Sequence, residues 1–151
     1  MSAVADDFVW DVRTFIYSHF AETTRAPQLD DIASHFSVSS DKADVLRLLH
    51  ERHALFLEPG TTRIRLANPF SAVPTQYRVA LGGKGYQANC AWDSFGIIAA
   101  LHADEATIRS VCTENGQPLE IAVHAGEVAN HSAVTHFLVP FRQWYDDLVF
   151  T

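Results

Sequence analysis

The apolar residues change period once along this chain, and that change constrains the fold more than any other feature. From Phe8 to Leu49 they recur three and four apart, the spacing that lines one face of a helix. From Leu55 onward short apolar runs are separated by glycine-containing turns, the pattern of β-hairpins. A helical first part and a strand-rich second part predict an α+β protein.

Three helices are expected in the first part. Phe8, Val12, Phe15, Ile16, His19 and Phe20 mark the first, with Asp6 and Asp7 at its positive end. Thr23 to Pro27 breaks the pattern. Pro27, Asp30 and Asp31 then suit the first turn of a short second helix that turns Leu29, Ile32, Ala33 and Phe36 inward. Ser37 to Ser40 reads as a polar turn, and Ser40 or Asp41 caps a third helix that carries Val45, Leu46, Leu48 and Leu49 and ends near His53. Leu55–Glu58 and Arg63–Leu66, joined by Pro59-Gly60-Thr61, form a hairpin that completes a winged-helix-like pattern. Asn68-Pro69 and Pro74 read as a linker, dividing the chain into a winged-helix-like module at 1–68 and a second domain at 75–151.

In the second part Gly82-Gly83 joins Tyr77–Leu81 to Lys84–Ala88 as a hairpin, followed by an apolar helix from Ala91 to Leu101. Ala106–Cys112 and Leu119–His124 flank the turn Glu114-Asn115-Gly116. Ala133–Val139 alternates as a final strand, and Pro140 opens a last helical turn. The expectation is a small mixed β-sheet with one packed helix.

Composition removes several classes of function. With 48% hydrophobic and 19% charged residues the chain is neither disordered, collagen-like nor a coiled coil. Eleven Lys and Arg against eighteen Asp and Glu leave a formal charge of −7, which repels a phosphate backbone. The helical module concentrates no basic charge either: through Leu66 it holds seven basic residues against ten acids, and Asp41, Asp44 and Glu51 sit on the third helix. Nucleic acid is therefore disfavoured as a partner, and the module reads as a packing or substrate-covering element. No run approaches the length of a membrane span, and the acidic start is unlike an export signal, so a cytoplasmic location with no membrane partner is expected. Cys90 and Cys112 are then expected as reduced thiols.

The densest chemistry lies in Ala88-Asn89-Cys90-Ala91-Trp92-Asp93-Ser94-Phe95-Gly96-Ile97, where a strand feeds a helix. A thiol at the helix start meets the positive end of the macrodipole and free backbone N–H groups, which lower its pKa. Asp93, three residues on, shares that face of the helix. A neighbouring thiolate raises its carboxyl pKa, so a proton can pass between the two groups. Read from spacing alone, the pair also fits a buried small hydrophobe beside a carboxylate that complements the dipole.

Ala-Asn-Cys-Ala-Trp-Asp-x-x-Gly-Ile at 88–97 resembles the signature of the alkylmercury lyase family. Ser110-Val111-Cys112, Glu114-Asn115-Gly116-Gln117-Pro118-Leu119, His136-Phe137-Leu138-Val139-Pro140, Trp144-Tyr145-Asp146-Asp147 and Phe150-Thr151 follow in family order, and the N-terminal module is similar too. The resemblance implies protonolysis of a carbon–mercury bond to hydrocarbon and Hg(II). Cys90 would take the organomercurial, and Asp93 would deliver the proton. Both would contact mercury, external thiols would remove the product, and no resident cofactor is implied. Soft mercury suits thiolate, and a positioned acid suits protonation of carbon.

One departure opens other readings. The family's second catalytic cysteine follows a Phe-Thr like Phe150-Thr151, where the given sequence stops, so either the sequence is cut short before that thiol or this member lacks it. Cys112 is the other sulfur donor; it matches a structural family cysteine, and the alternation with Ile108 and Ser110 suggests burial. A Cys-dependent lyase or hydrolase acting on a mercury-free small molecule is the alternative, and a non-catalytic metal carrier or sensor is a third. Trp92, Trp144 and Tyr145 are candidates to line an apolar substrate pocket, or to be plain core. Among eight histidines, His50 and His53 alone share helical metal-ligand spacing, and they read more simply as surface residues of the third helix.

Overall fold

The computed structural model describes residues 6–37, 41–129 and 131–146. Three helices come first: α1 (Asp6–Thr23), α2 (Leu29–His35) and α3 (Lys42–Glu51). α1 buries Val12, Ile16 and Phe20 of the predicted stripe and adds Val9, while Phe8, Phe15 and His19 stay half-buried. α2 starts after Pro27 instead of on it: Gln28 is the N-cap, and the Asp31 carboxylate accepts the Gln28 N–H at 2.7 Å. α3 is capped by Asp41, whose carboxylate accepts the Ala43 N–H at 2.8 Å. The polar turn expected at 38–40 lies outside the described residues.

The strands are β1 (Phe56–Leu57), β2 (Ile64–Ala67), β3 (Phe70–Ser71), β4 (Tyr77–Leu81), β5 (Lys84–Ala88), β6 (Ala106–Val111), β7 (Pro118–His124) and β8 (Glu127–Val128), with α4 (Ala91–Ala100) between β5 and β6. They form one sheet in the order β1-β2-β3-β5-β4-β6-β7-β8. The α+β class stands, but every pair is antiparallel, so the sheet is not mixed. Hairpin turns reverse the chain at each step except two: from β3 to β4, where the later strand β5 inserts between them antiparallel to both, and across α4, after which the chain re-enters as β6 antiparallel to β4.

Two other expectations are corrected. The segment 68–74 carries β3, which pairs with β2 on one side and β5 on the other, so the ladder runs through the expected linker. Asn68-Pro69 adopts a cis peptide there. Ala133–Val139 forms no strand, since its alternating residues find no neighbouring edge; Val134 is 88% exposed. The short edge strand β8, set by the Ala125-Gly126 turn after β7, was not anticipated. The helical turn after Pro140 is present at Phe141–Gln143.

The helices and the later strands share one core. Phe20 of α1 stacks on Phe70 of β3 with centroids 5.3 Å apart, and the Tyr86 hydroxyl of β5 donates to the Ala21 carbonyl at 2.8 Å. Val79, Tyr86, Ala88, Ile108 and Val123 supply the sheet side, and Ile97 and Ile98 of α4 pack onto it. This places the start of α4, where β5 ends, close to α1.

Candidate active site

Cys90 is the N-cap of α4, with extended backbone angles that turn the strand into the helix. Its sulfur takes the role that serine or aspartate oxygen usually fills. Sγ accepts the Asp93 backbone N–H at 3.4 Å, and the thiol donates to Asp93 Oδ2 at 3.3 Å. The two candidate residues thus touch through both the backbone and the side chain of Asp93. Ser94, fully buried, donates its hydroxyl to the Cys90 carbonyl at 3.1 Å and fixes the turn from behind.

The electrostatics correct the expected activated thiolate. Burial, followed by the adjacent Asp93 carboxylate, pushes the Cys90 thiol up to about 11, outweighing the backbone N–H groups of Asp93 and Trp92 that pull it down. Burial also raises the Asp93 carboxyl above its ordinary range, against the opposing hydrogen bond from Cys90. The resting pair is therefore a neutral thiol donating to a carboxyl group of raised proton affinity.

Sequence reasoning missed two contributors from α1. Arg13 Nη2 donates to the Tyr17 hydroxyl at 3.1 Å, which donates to the Asn68 carbonyl at 2.9 Å. The next residue, Pro69, lies against α4: a Cβ on Gly96 would sit 3.0 Å from Pro69 Cβ. Gly96 and Asp93 are three apart on one helix face. Tyr17 accordingly senses the site: burial raises its phenol pKa, Arg13 opposes, and the Asp93 charge adds to the rise. Arg13 and Tyr17 are four apart on α1, a spacing visible in the sequence without any sign of what lies opposite.

The aromatic candidates separate. Trp92, at the second position of α4, is 59% exposed and meets Phe137 at 6.3 Å; Phe137 meets Trp144 at 5.2 Å. Trp144 Nε1 donates to the Val139 carbonyl at 3.1 Å. Tyr145 instead stacks on His53 at 4.6 Å and on Phe56 at 6.2 Å, away from this group. His50 accepts the Leu57 N–H through Nδ1 at 3.4 Å, so His50 and His53 serve packing around β1. Among the described residues no group of three or more His, Cys, Asp or Glu is arranged to hold a metal ion.

Cys112 follows the last residue of β6. Its N–H donates to the Gln117 carbonyl and its carbonyl accepts the Gly116 N–H, both at 2.8 Å, closing the β6–β7 turn. It is half-buried, and β4 separates its strand from β5, which leads to Cys90. Three of the seven basic residues of the first 66 are paired with acids: Arg47 with Asp44, Arg52 with Asp6 and Arg63 with Glu58. No helix among the described residues is long and apolar enough to cross a membrane.

An antiparallel α+β fold with a thiol–carboxyl pair at the head of its central helix defines the class of protein. The family model for alkylmercury lyase matches residues 70–150, more than half of the chain and including the whole Cys90–Asp93 turn. The chain belongs to the alkylmercury lyase family, a family of lyases. The fold is similar to that in the crystal structure of the mercury-bound form of MerB2, with a TM-score of 0.65 and 23% identity over 87% of this chain. The chain spans 62% of the length of that structure. No curated protein matches it.

Proposed function

We propose that this protein cleaves carbon–mercury bonds by protonolysis, with Cys90 as the sulfur ligand and Asp93 as the proton carrier. The observation that carries the reading is the hydrogen bond from the Cys90 thiol to Asp93 Oδ2 at 3.3 Å in a chain of this family. As an organomercurial thiolate approaches, the thiol proton passes to the Asp93 carboxylate and the sulfur bonds to mercury. Asp93 then delivers that proton to the carbon as the carbon–mercury bond breaks, and its electron pair becomes the new C–H bond. One proton moves from sulfur through oxygen to carbon, and mercury remains between Cys90 and the incoming thiolate. External thiol then exchanges it off.

The raised pKa values support this order. A thiol near 11 holds its proton until mercury displaces it, and a carboxyl with raised affinity holds a proton long enough to pass it on. The segment 1–68 acts as a winged-helix-like cover, and 75–151 carries the chemistry; Cys112 serves the β6–β7 turn. A small organic molecule is the substrate, without nucleic acid, in a cytoplasmic detoxification setting. The second reading, a Cys90-dependent lyase or hydrolase on a mercury-free molecule, is favoured by the same thiol–carboxyl bond, since a nucleophile with an adjacent base suits many electrophiles.

The test mixes the protein with phenylmercury and excess thiol and follows benzene by gas chromatography and the Cys90 adduct by mass spectrometry. Benzene release that vanishes in Cys90→Ser supports the lyase. A stable adduct without benzene sinks it and leaves the mercury-free reading.

A further inference from the structure

We infer that the far end of α4 holds a second site, a groove between α4 and the β7–β8 hairpin that binds a small organic cation: an ammonium group on an aryl or alkyl body. The inference goes beyond the function proposed above and does not depend on what reacts at Cys90.

α4 packs over β4, β5 and β6, so the hairpin of β7 and β8, further out in the sheet, extends past the helix. Between the two lies a groove of about 430 Å³, a size within the range of small-ligand sites. One wall is a single stripe of the helix: Phe95, Ile98 and Ala99 stand at i, i+3 and i+4, and His102 at i+7 ends it just past the last turn. Val123 and Val128 of the hairpin line it as well. Ala99, Ala103 and Gly126 are too small to fill the space between. Ala99 follows Cys90 by nine residues of helix, about 14 Å along the axis, so the groove is separate from the reactive pair.

The mouth of the groove is negative. Asp104 lines it, and its carboxylate lies beside Gly126: a Cβ on that glycine would stand 3.8 Å from Oδ1. The Gly126 N–H donates to the Asp104 carbonyl at 3.0 Å and ties the residue to the hairpin. Among the described residues nothing pairs with the Asp104 carboxylate. The neighbouring Glu105, by contrast, is taken up by His124 at 2.7 Å and by the Ala125 N–H at 3.2 Å. α4 ends here with no basic residue in its last turn, so the negative end of its dipole adds to the same field. No Lys or Arg is among the described residues that line the groove. An apolar channel with an unpaired carboxylate at its mouth repels anions and leaves a neutral ligand's polar end without a charge partner. It fits a cation whose body lies along Phe95, Ile98 and Val128 and whose ammonium group donates to Asp104.

The test compares three probes of one shape on the full chain at pH 8 and low ionic strength: 2-phenylethylammonium, 2-phenylethanol and phenylacetate. Binding is followed through the methyl resonances of Ile98, Val123 and Val128. The cation is expected to bind about fivefold more tightly than the alcohol, the worth of an exposed ion pair, and phenylacetate more weakly than either. Asp104→Asn and high salt should each bring the cation-to-alcohol ratio toward one. Ala99→Phe, at an exposed helical position, should block both ligands, with circular dichroism confirming that the fold is kept. Iodoacetamide labelling of Cys90 should be unchanged by the cation. Several outcomes overturn the inference: no saturable shift at these methyls, equal binding of cation and alcohol, a ratio unmoved in Asp104→Asn, or binding that survives Ala99→Phe. Methyl shifts that follow protein concentration alone would also overturn it, since a second copy would then cover the groove. A protein that binds the cation here but releases no hydrocarbon from phenylmercury sinks the lyase reading and leaves this site standing.

Discussion

The Cys90 sulfur and Asp93 meet twice, once where Sγ accepts the Asp93 N–H at 3.4 Å and once where the thiol donates to Oδ2 at 3.3 Å. The backbone contact favours thiolate, and the carboxylate contact favours thiol. Their balance, with burial, sets the thiol near 11. Removing the carboxylate charge while keeping the backbone therefore has opposite effects on two measurable properties.

In Asp93→Asn the sulfur loses its nearest negative charge and keeps its N–H donors. Iodoacetamide labelling of Cys90 at pH 8 is expected to accelerate several-fold, since each unit of lowered pKa gives about tenfold more thiolate, less its weaker nucleophilicity. Hydrocarbon release should fall by at least about a hundredfold, the contribution of a positioned acid. Labelling that slows in the variant would show that the carboxylate activates the thiol instead of restraining it.

The raised thiol pKa also makes stability depend on alkaline pH. The folded state holds the Cys90 proton to about 11, whereas an unfolded cysteine releases it near 8.5. The sign follows: between these values the folded state binds more protons, so its stability is full below the unfolded pKa and declines as pH rises toward 11. Cys90→Ala should flatten the urea midpoint over pH 8.5–10.5 relative to wild type. Parallel profiles for the two proteins would mean that Cys90 titrates alike in both states.

Much of this is legible in the sequence. The Gly82-Gly83 hairpin, α4 and the Cys90–Asp93 turn follow from local rules, because a two-residue turn and an N-cap are decided within a few residues. The failures came where long-range pairing decides. Asn68-Pro69 and Pro74 look like a linker, but two edges stand ready on either side of Phe70 and Ser71 and draw them into the sheet. Ala133–Val139 alternates like a strand and finds no edge. The sequence predicts a lowered thiol pKa because a helix start is visible in it, whereas the burial that raises the thiol is not. Arg13 and Tyr17 carried no signal, since their importance comes from Asn68 and Asp93, distant in the chain.

Gly96 tests the contact that holds α4 against the Asn68-Pro69 corner. A methyl at that position lies 3.0 Å from Pro69 Cβ, closer than such carbons normally pack, so ring or helix must give way. Overpacking costs about 1–3 kcal/mol, and replacing a helical glycine by alanine returns up to about 1 kcal/mol. Gly96→Ala is expected to lose about 1 kcal/mol in urea unfolding and to reduce hydrocarbon release more than that loss explains, because Asp93 sits one turn earlier. A variant as stable and active as wild type would mean that Pro69 yields freely.

Tyr17 separates a positioning role from a proton-carrying one. Its hydroxyl takes a hydrogen bond from Arg13 and gives one to the Asn68 carbonyl, so Tyr17→Phe leaves a donor and an acceptor without their partner and should cost about 1 kcal/mol of stability. The phenol's raised pKa keeps it neutral at pH 7, so the substitution removes no charge from the surroundings of Asp93. The pH profile of Cys90 labelling should therefore keep its midpoint while the urea midpoint falls. A midpoint displaced by a full unit, with stability unchanged, would reverse the assignment: Tyr17 would then belong to the proton path between α1 and Asp93 and not merely to the corner that positions α4.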